Sequence, residues 1–197
     1  MKQPLGVILA GGQAQRMGGG DKGRLMLGGQ SLLARVIDRL EPQVAGLALN
    51  ANGDAARFGD LKLPIIPDSI VGFAGPLAGV LAGLEWAAEQ GGDSIVTAAA
   101  DTPFFPCDLV PRLILAGLAH PDGLAVAATP DGLHATFGIW PVSLRDELAA
   151  FLTQGGRKMR VFTENQNAAI AQFPAMSPPF FFNINTPDDL TKAAQWL

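Results

Sequence analysis

A single cysteine, Cys107, stands among 197 residues, so no disulfide can close within the chain. That usage suits a reducing compartment, and a cytoplasmic setting is expected. Cys107 has no motif around it and is expected to pack as a small apolar residue. Only two histidines occur, His120 and His134, far apart and in no ligand spacing, so a histidine metal site and a histidine-dependent triad are both without support. No apolar run reaches the roughly 18 residues of a membrane span. Met1-Lys2-Gln3-Pro4 leads straight into the first apolar stretch, with no pattern of a signal peptide. An excess of positive charge is also missing: 14 basic against 18 acidic residues give a net charge of −4, which sets nucleic acid aside as a partner. Nothing in the chain looks like an activated hydroxyl or thiol nucleophile.

What is present suits one globular domain over residues 1–197, with 48% hydrophobic and 16% charged residues. The basic residues are unevenly spread. Arg16, Lys22 and Arg24 crowd one segment, and Arg157, Lys158 and Arg160 another. Local cationic patches in an acidic chain suit small anionic ligands, phosphates above all. Apolar runs at Leu5–Leu9, 46–49, 63–66 and 94–100 read as buried parallel strands. Between them, Ser31 is placed to cap a helix through about Leu40, and Pro76 to open one that Gly91-Gly92 stops. Asp108 is expected to cap a third helix, residues 124–128 and 133–140 to form further strands, and residues 143–152 a helix. A single helical turn is expected at the second basic cluster. Strands are also expected at 168–173 and 180–184, and Thr186-Pro187-Asp188-Asp189 is a strong helix start. Alternating strands and helices predict a Rossmann-like, three-layer α/β domain with a mainly parallel sheet and an antiparallel insertion near residues 124–140.

The segment from Leu9 to Gly23, Leu-Ala-Gly-Gly-Gln-Ala-Gln-Arg-Met-Gly-Gly-Gly-Asp-Lys-Gly, lies between the first strand and the first helix. A glycine-rich loop in that place presents backbone N–H groups to a phosphate, with no Cβ in the way. It is not a P-loop, because Lys22 is followed by Gly23 and Arg24 and not by Ser or Thr. In an open parallel sheet the ligand crevice lies beyond the C-terminal strand ends. There the next three strands end in Asn50, Asp68 and Asp101. Asn50 offers a donor and an acceptor suited to a base edge or ribose. Asp101 follows a wholly apolar strand, where a carboxylate needs a partner, and magnesium on substrate phosphates is the obvious one. Alternation along an expected strand puts Asn183 and Asn185 on one side, a pair of amides able to hold a heterocycle. The Phe180-Phe181-Phe182 run reads as core. With phosphate as acceptor no general base is needed, since a phosphate monoester is already anionic near neutral pH.

The Leu9–Lys22 segment resembles the nucleotidyltransferase signature Leu-Ala-Gly-Gly-x-x-x-Arg-Met-Gly-x-x-Asp-Lys. Together with Asn50-Ala51-Asn52, Pro67-Asp68, Gly75-Pro76-Leu77-Ala78-Gly79, Asp101-Thr102-Pro103 and Asn183-Ile184-Asn185-Thr186-Pro187, in that order, it makes the chain similar to the molybdenum cofactor guanylyltransferases over nearly its whole length. Such enzymes join GMP from GTP to the terminal phosphate of molybdenum-bound molybdopterin and release pyrophosphate. The resemblance implies that Leu9, Ala10, Gly11, Gly12, Lys22, Asn50, Asp68 and Asp101 hold GTP. It implies further that Asp101 also binds Mg2+, that Arg16 neutralises phosphate charge beside Lys22, and that Asn183 and Asn185 face the pterin. The molybdenum-insertion protein and the cofactor-accepting enzymes are the protein partners it implies. Two departures stand out: Ala100 where the family often has Cys, and His134-Ala135 where it often has His-Pro. A molybdopterin cytidylyltransferase, a sugar-phosphate nucleotidyltransferase and a non-catalytic nucleotide-binding or cofactor-carrying protein remain as alternatives. Gly11-Gly12 argues for guanine, since the cytidylyltransferases more usually read Leu-Ala-Ala-Gly.

Overall fold

The computed structural model describes residues 2–11, 22–70 and 75–197. The first strand, β1 (Leu5–Leu9), lies at the middle of the parallel part of the sheet, because its Val7 and Ile8 are apolar on opposite faces and both are fully buried. It pairs in parallel with β4 (Leu47–Asn50) on one side and β6 (Ser94–Ala99) on the other. β5 (Ile65–Ile66) extends the sheet beyond β4. Beyond β6 comes the long β8 (Gly132–Pro141), antiparallel to both its neighbours, then β7 (Ala125–Thr129) and β9 (Ala169–Gln172). The seven-stranded order is β5-β4-β1-β6-β8-β7-β9. The expected antiparallel insertion is thus one reversed strand, β8, slotted between two that run the same way.

Helices cover both faces. On one, α1 (Leu32–Leu40) and α3 (Leu109–Gly117) share a core with Ile8, Leu49, Val96 and Phe137. Ser31 caps α1 as expected, its Oγ accepting the Ala34 N–H at 3.1 Å. On the other face lie α2 (Pro76–Glu89), α4 (Arg145–Thr153) and α5 (Met159–Asn165), packed with Val7, Ile95 and Trp140. α2 touches the sheet through glycines one turn apart. A Cβ on Gly79 would stand 2.2 Å from Asn50 Oδ1, and one on Gly83 2.8 Å from Ile95 Cδ1. A third, smaller core joins the hairpin β2 (Met26–Leu27) and β3 (Gln30–Ser31) to the last helix, α6 (Pro187–Ala194), through Leu27, Leu32, Phe104, Ile184 and Ala193.

Several local expectations need correction. Residues 180–184 do not form a strand. The segment follows Pro178-Pro179 and makes one sheet-like bond, Ile184 N–H to the Asp101 carbonyl at 2.9 Å, crossing the end of β6 without running along it. Phe181 does join the core, against Phe137 and Phe173. Asp108 offers no side-chain cap to α3, because Arg112, one turn on, draws its carboxylate into an ion pair at 2.7 Å. Cys107 is exposed, with Arg39 Nη1 at 3.5 Å from its sulfur. The turn expected at the second basic cluster is the seven-residue helix α5.

Candidate active site

The strand ends place the candidate residues. After Leu9 the chain passes through Ala10, whose N–H donates to the Asn50 carbonyl at 2.9 Å, and Gly11. Gly12 and Arg16 lie outside the described residues. The chain is described again at Lys22, which opens a short 3-10 turn with Gly23 and Arg24. A small hollow here is lined by Leu9, Ala10, Lys22, Phe58, Ala100 and Asp101. The walls come from β1 and β6, zipped one residue further by Ala100 N–H to the Leu9 carbonyl at 3.1 Å. Lys22 and Asp101 are brought together across it, Nζ to Oδ2 at 3.7 Å, and both side chains are about four-fifths buried, with 21% and 18% exposure. Thr102 Oγ1 donates to Asp101 Oδ1 at 3.3 Å. Burial raises the Asp101 pKa above the usual carboxylate range, and the Lys22 charge only partly opposes it. The shorter contact of Lys22 is elsewhere: Nζ donates to Asn185 Oδ1 at 2.6 Å.

Arg24, counted with Lys22 in the first basic cluster, faces another way. Its guanidinium grips the Asp60 carboxylate and the Arg57 carbonyl, and stands 5.3 Å from the centre of the Phe58 ring. The bond to Arg24 pushes the Asp60 pKa down to about 2.

Asn50 departs from the expectation of a base reader. The residue is 2% exposed, and its amide donates to the Ile66 carbonyl at 3.1 Å and to Asp68 Oδ1 at 2.9 Å. With both amide hydrogens so used, it has none for a ligand. It orients Asp68 instead. Asn52, which residue-by-residue reading did not single out, does the same from the other side. Its Nδ2 donates to Asp68 Oδ2 at 2.7 Å, and its Oδ1 accepts the Asp68 N–H at 2.9 Å. The available signal was its place two residues after Asn50, on the loop that leaves the same strand. The result is a half-buried carboxylate held by two amides just beyond the end of β5.

A second, wider cleft of about 420 Å³ is lined by Thr102, His134, Arg157, Lys158, Phe181 and Asn183, among others. Thr102 adjoins Asp101, so this cleft opens beside the first. His134 stacks on Phe181 with ring centres 4.5 Å apart, and its Nε2 lies 2.8 Å from Thr129 Oγ1. Burial holds the His134 pKa below its ordinary value. The two asparagines expected on one strand face are divided between the clefts: Asn183 lines the second, and Asn185 holds Lys22 at the first. Among the described residues no group of three or more His, Cys, Asp or Glu could hold a metal ion.

Residues 6–169 match the MobA-like NTP transferase domain. The chain belongs to that family. As a MobA-like NTP transferase it is 48% identical over 199 residues to a molybdenum cofactor guanylyltransferase of Mesorhizobium japonicum, a match covering 98% of this chain and 95% of the relative. It is 50% identical over 193 residues to a second protein of that name from Rhodopseudomonas palustris, covering 96% and 90%. The crystal structure of molybdopterin-guanine dinucleotide biosynthesis protein A from Archaeoglobus fulgidus superimposes with a TM-score of 0.73 at 27% identity, over 98% of this chain and 97% of the other. The α/β fold with its mainly parallel sheet is therefore that of the nucleotidyltransferases, and the family resemblance in the sequence holds.

Proposed function

We propose that this chain transfers GMP from GTP to the terminal phosphate of molybdenum-molybdopterin and releases pyrophosphate. The observation that carries the reading is the pairing of Lys22 and Asp101 at the strand ends, beside the start of the glycine loop, in a chain about half identical to proteins named for that activity. An acceptor phosphate oxygen attacks the α-phosphorus, the bond from that phosphorus to the β-bridging oxygen breaks, and pyrophosphate leaves with the electron pair. No residue need remove a proton, because the acceptor is already an anion. The chain's task is to hold two anions in line and offset their repulsion. Lys22 would sit on the triphosphate, and Arg16 would supply the further phosphate charge that the family resemblance implies. Asp68, aimed by Asn50 and Asn52, faces the nucleoside. The wider cleft, with Arg157, Lys158 and Asn183 on its wall, takes the pterin side.

Asp101 suits Mg2+. Its carboxylate is mostly buried, Oδ2 has the Lys22 ammonium only at 3.7 Å, and one carboxylate completed by phosphate oxygens and water is a donor set this ion favours. Bound there, Mg2+ would supply electrostatic stabilisation of charge on the phosphate oxygens. We place the reaction in the cytoplasm, with hand-over from a molybdenum-insertion protein and to cofactor-accepting enzymes. No helix among the described residues is long and apolar enough to cross a membrane. The deciding experiment supplies molybdenum-molybdopterin and asks which nucleoside triphosphate supports pyrophosphate release. Binding of GTP with no pyrophosphate formed would favour the non-catalytic carrier.

A further inference from the structure

Lys22 is held from the far end of the chain. Its ammonium sits closer to the neutral Asn185 amide, at 2.6 Å, than to the Asp101 carboxylate, at 3.7 Å. Charge alone would draw it the other way. Asn185 can compete only because its own place is fixed. Its backbone N–H donates to Asp189 Oδ2 at 3.0 Å, and the preceding residue, Ile184, is tied to the Asp101 carbonyl at 2.9 Å. Asp189 belongs to the capping box of α6: Oδ2 also accepts the Thr186 N–H at 2.9 Å, and Thr186 Oγ1 accepts the Asp189 N–H at 3.1 Å. A capping box requires only those last two bonds. The bond to Asn185, one residue before the cap, is additional, and it is the first cause that holds the Asp189 pKa below its usual range. The third core, with Leu27 and Leu32 from the exit of the glycine loop and Ile184 and Ala193 from this end, packs the two ends of the chain together.

We propose that Asp189 is a positioning residue for the transfer reaction: by fixing the Asn185 backbone it sets the acceptor that keeps the Lys22 ammonium beside Asp101 and not on it. This leaves Lys22 available to a triphosphate and Asp101 Oδ2 open toward the crevice. The inference rests on Lys22 as the triphosphate lysine, and it gives Asn185 a part on the nucleotide side of the site.

A double-mutant cycle read by calorimetric titration of GTP into the full chain, with magnesium present, tests it. Asp189→Ala is expected to weaken GTP binding about 10-fold, the effect of one hydrogen bond to a charged group. Asp189→Glu, the usual third residue of a capping box, should restore most of the affinity. In a Lys22→Ala background, Asp189→Ala should change affinity by less than about 2-fold, because its effect runs through the lysine. Thr186→Ala removes the helix cap but leaves the bond from Asp189 to Asn185, so it should lower the melting temperature and leave affinity within about 2-fold. Asn185→Ala repeats the cycle with the same expected coupling, should Asp189→Ala fail to fold. Equal losses with and without Lys22, or a loss from Thr186→Ala as large as that from Asp189→Ala, would make Asp189 a helix cap and nothing more. A wild-type chain that does not bind GTP would remove the nucleotide reading itself, and this proposal with it.

Discussion

Asp101 sits where burial disfavours its charged form. Burial raises its pKa, and Lys22 at 3.7 Å compensates only in part. A buried carboxylate kept at such cost marks a functional site more often than a structural one. Asp101→Asn keeps the shape and removes the charge. The variant should therefore fold and melt no lower than wild type at neutral pH, since the desolvation of the carboxylate is gone. Turnover should nonetheless fall by on the order of 10²-fold, the scale of one lost electrostatic contact to a transition state. Melting curves and pyrophosphate release on the same samples check both halves. Asp60 is the contrasting carboxylate, exposed and lowered to about 2 by Arg24. Its folded value lies below the ordinary 3.8, so what the pair contributes to stability is present above that pH and is lost as the pH falls toward 2. Carboxyl NMR should find Asp60 titrating near 2, and near 3.8 in Arg24→Ala. A value unmoved by Arg24→Ala would mean that something else holds Asp60 down.

Among elements, α2 carries the tightest constraint on the site. Gly79 lies against Asn50, and Asn50 orients Asp68. A methyl at position 79 would meet Asn50 Oδ1 at 2.2 Å and Leu9 Cδ2 at 2.9 Å, so the helix or the amide must shift. Gly79→Ala should destabilise the fold by about 1–3 kcal/mol, as overpacking does, and weaken GTP binding with it. Gly91→Ala, at the end of the same helix with open space around it, should cost stability through its positive φ of 68° but leave GTP affinity unchanged. Chemical denaturation and calorimetry on the two variants separate packing at the site from helix stability. The helix starts at Ser31, Pro76 and Thr186 were legible in the sequence because a cap is decided by its nearest few residues. The run at 180–184 was not, because three phenylalanines suit a strand or a core loop equally, and only the tie from Ile184 to Asp101 shows which it is. The two-residue strands of the β2–β3 hairpin carry too little pattern to be read at all.

For the molecule as a whole, the four parallel strands β5, β4, β1 and β6 end side by side at one edge of the sheet, and the order of Gly11, Asn50, Asp68 and Asp101 after those strands was visible along the chain. What could not be read was which way each side chain turns. Asn50 turns inward because its partner, Asp68, is eighteen residues on, across a neighbouring strand. Asn183 and Asn185 separate because Lys22, 163 residues from Asn185, claims one of them. Contacts of such range follow from the sheet order and not from local pattern. The two clefts that result, one beside Lys22 and the other beside His134 and Asn183, adjoin at Asp101 and Thr102, and the proposed reaction would use the first for the donor and the second for the acceptor. Guanine specificity is the claim on which the reading as a guanylyltransferase stands, and it is measured most directly by pyrophosphate release from GTP and from CTP with molybdenum-molybdopterin supplied. A site built to hydrogen-bond guanine should favour GTP by about 10⁴-fold in kcat/KM. Comparable rates with the two nucleotides would contradict it.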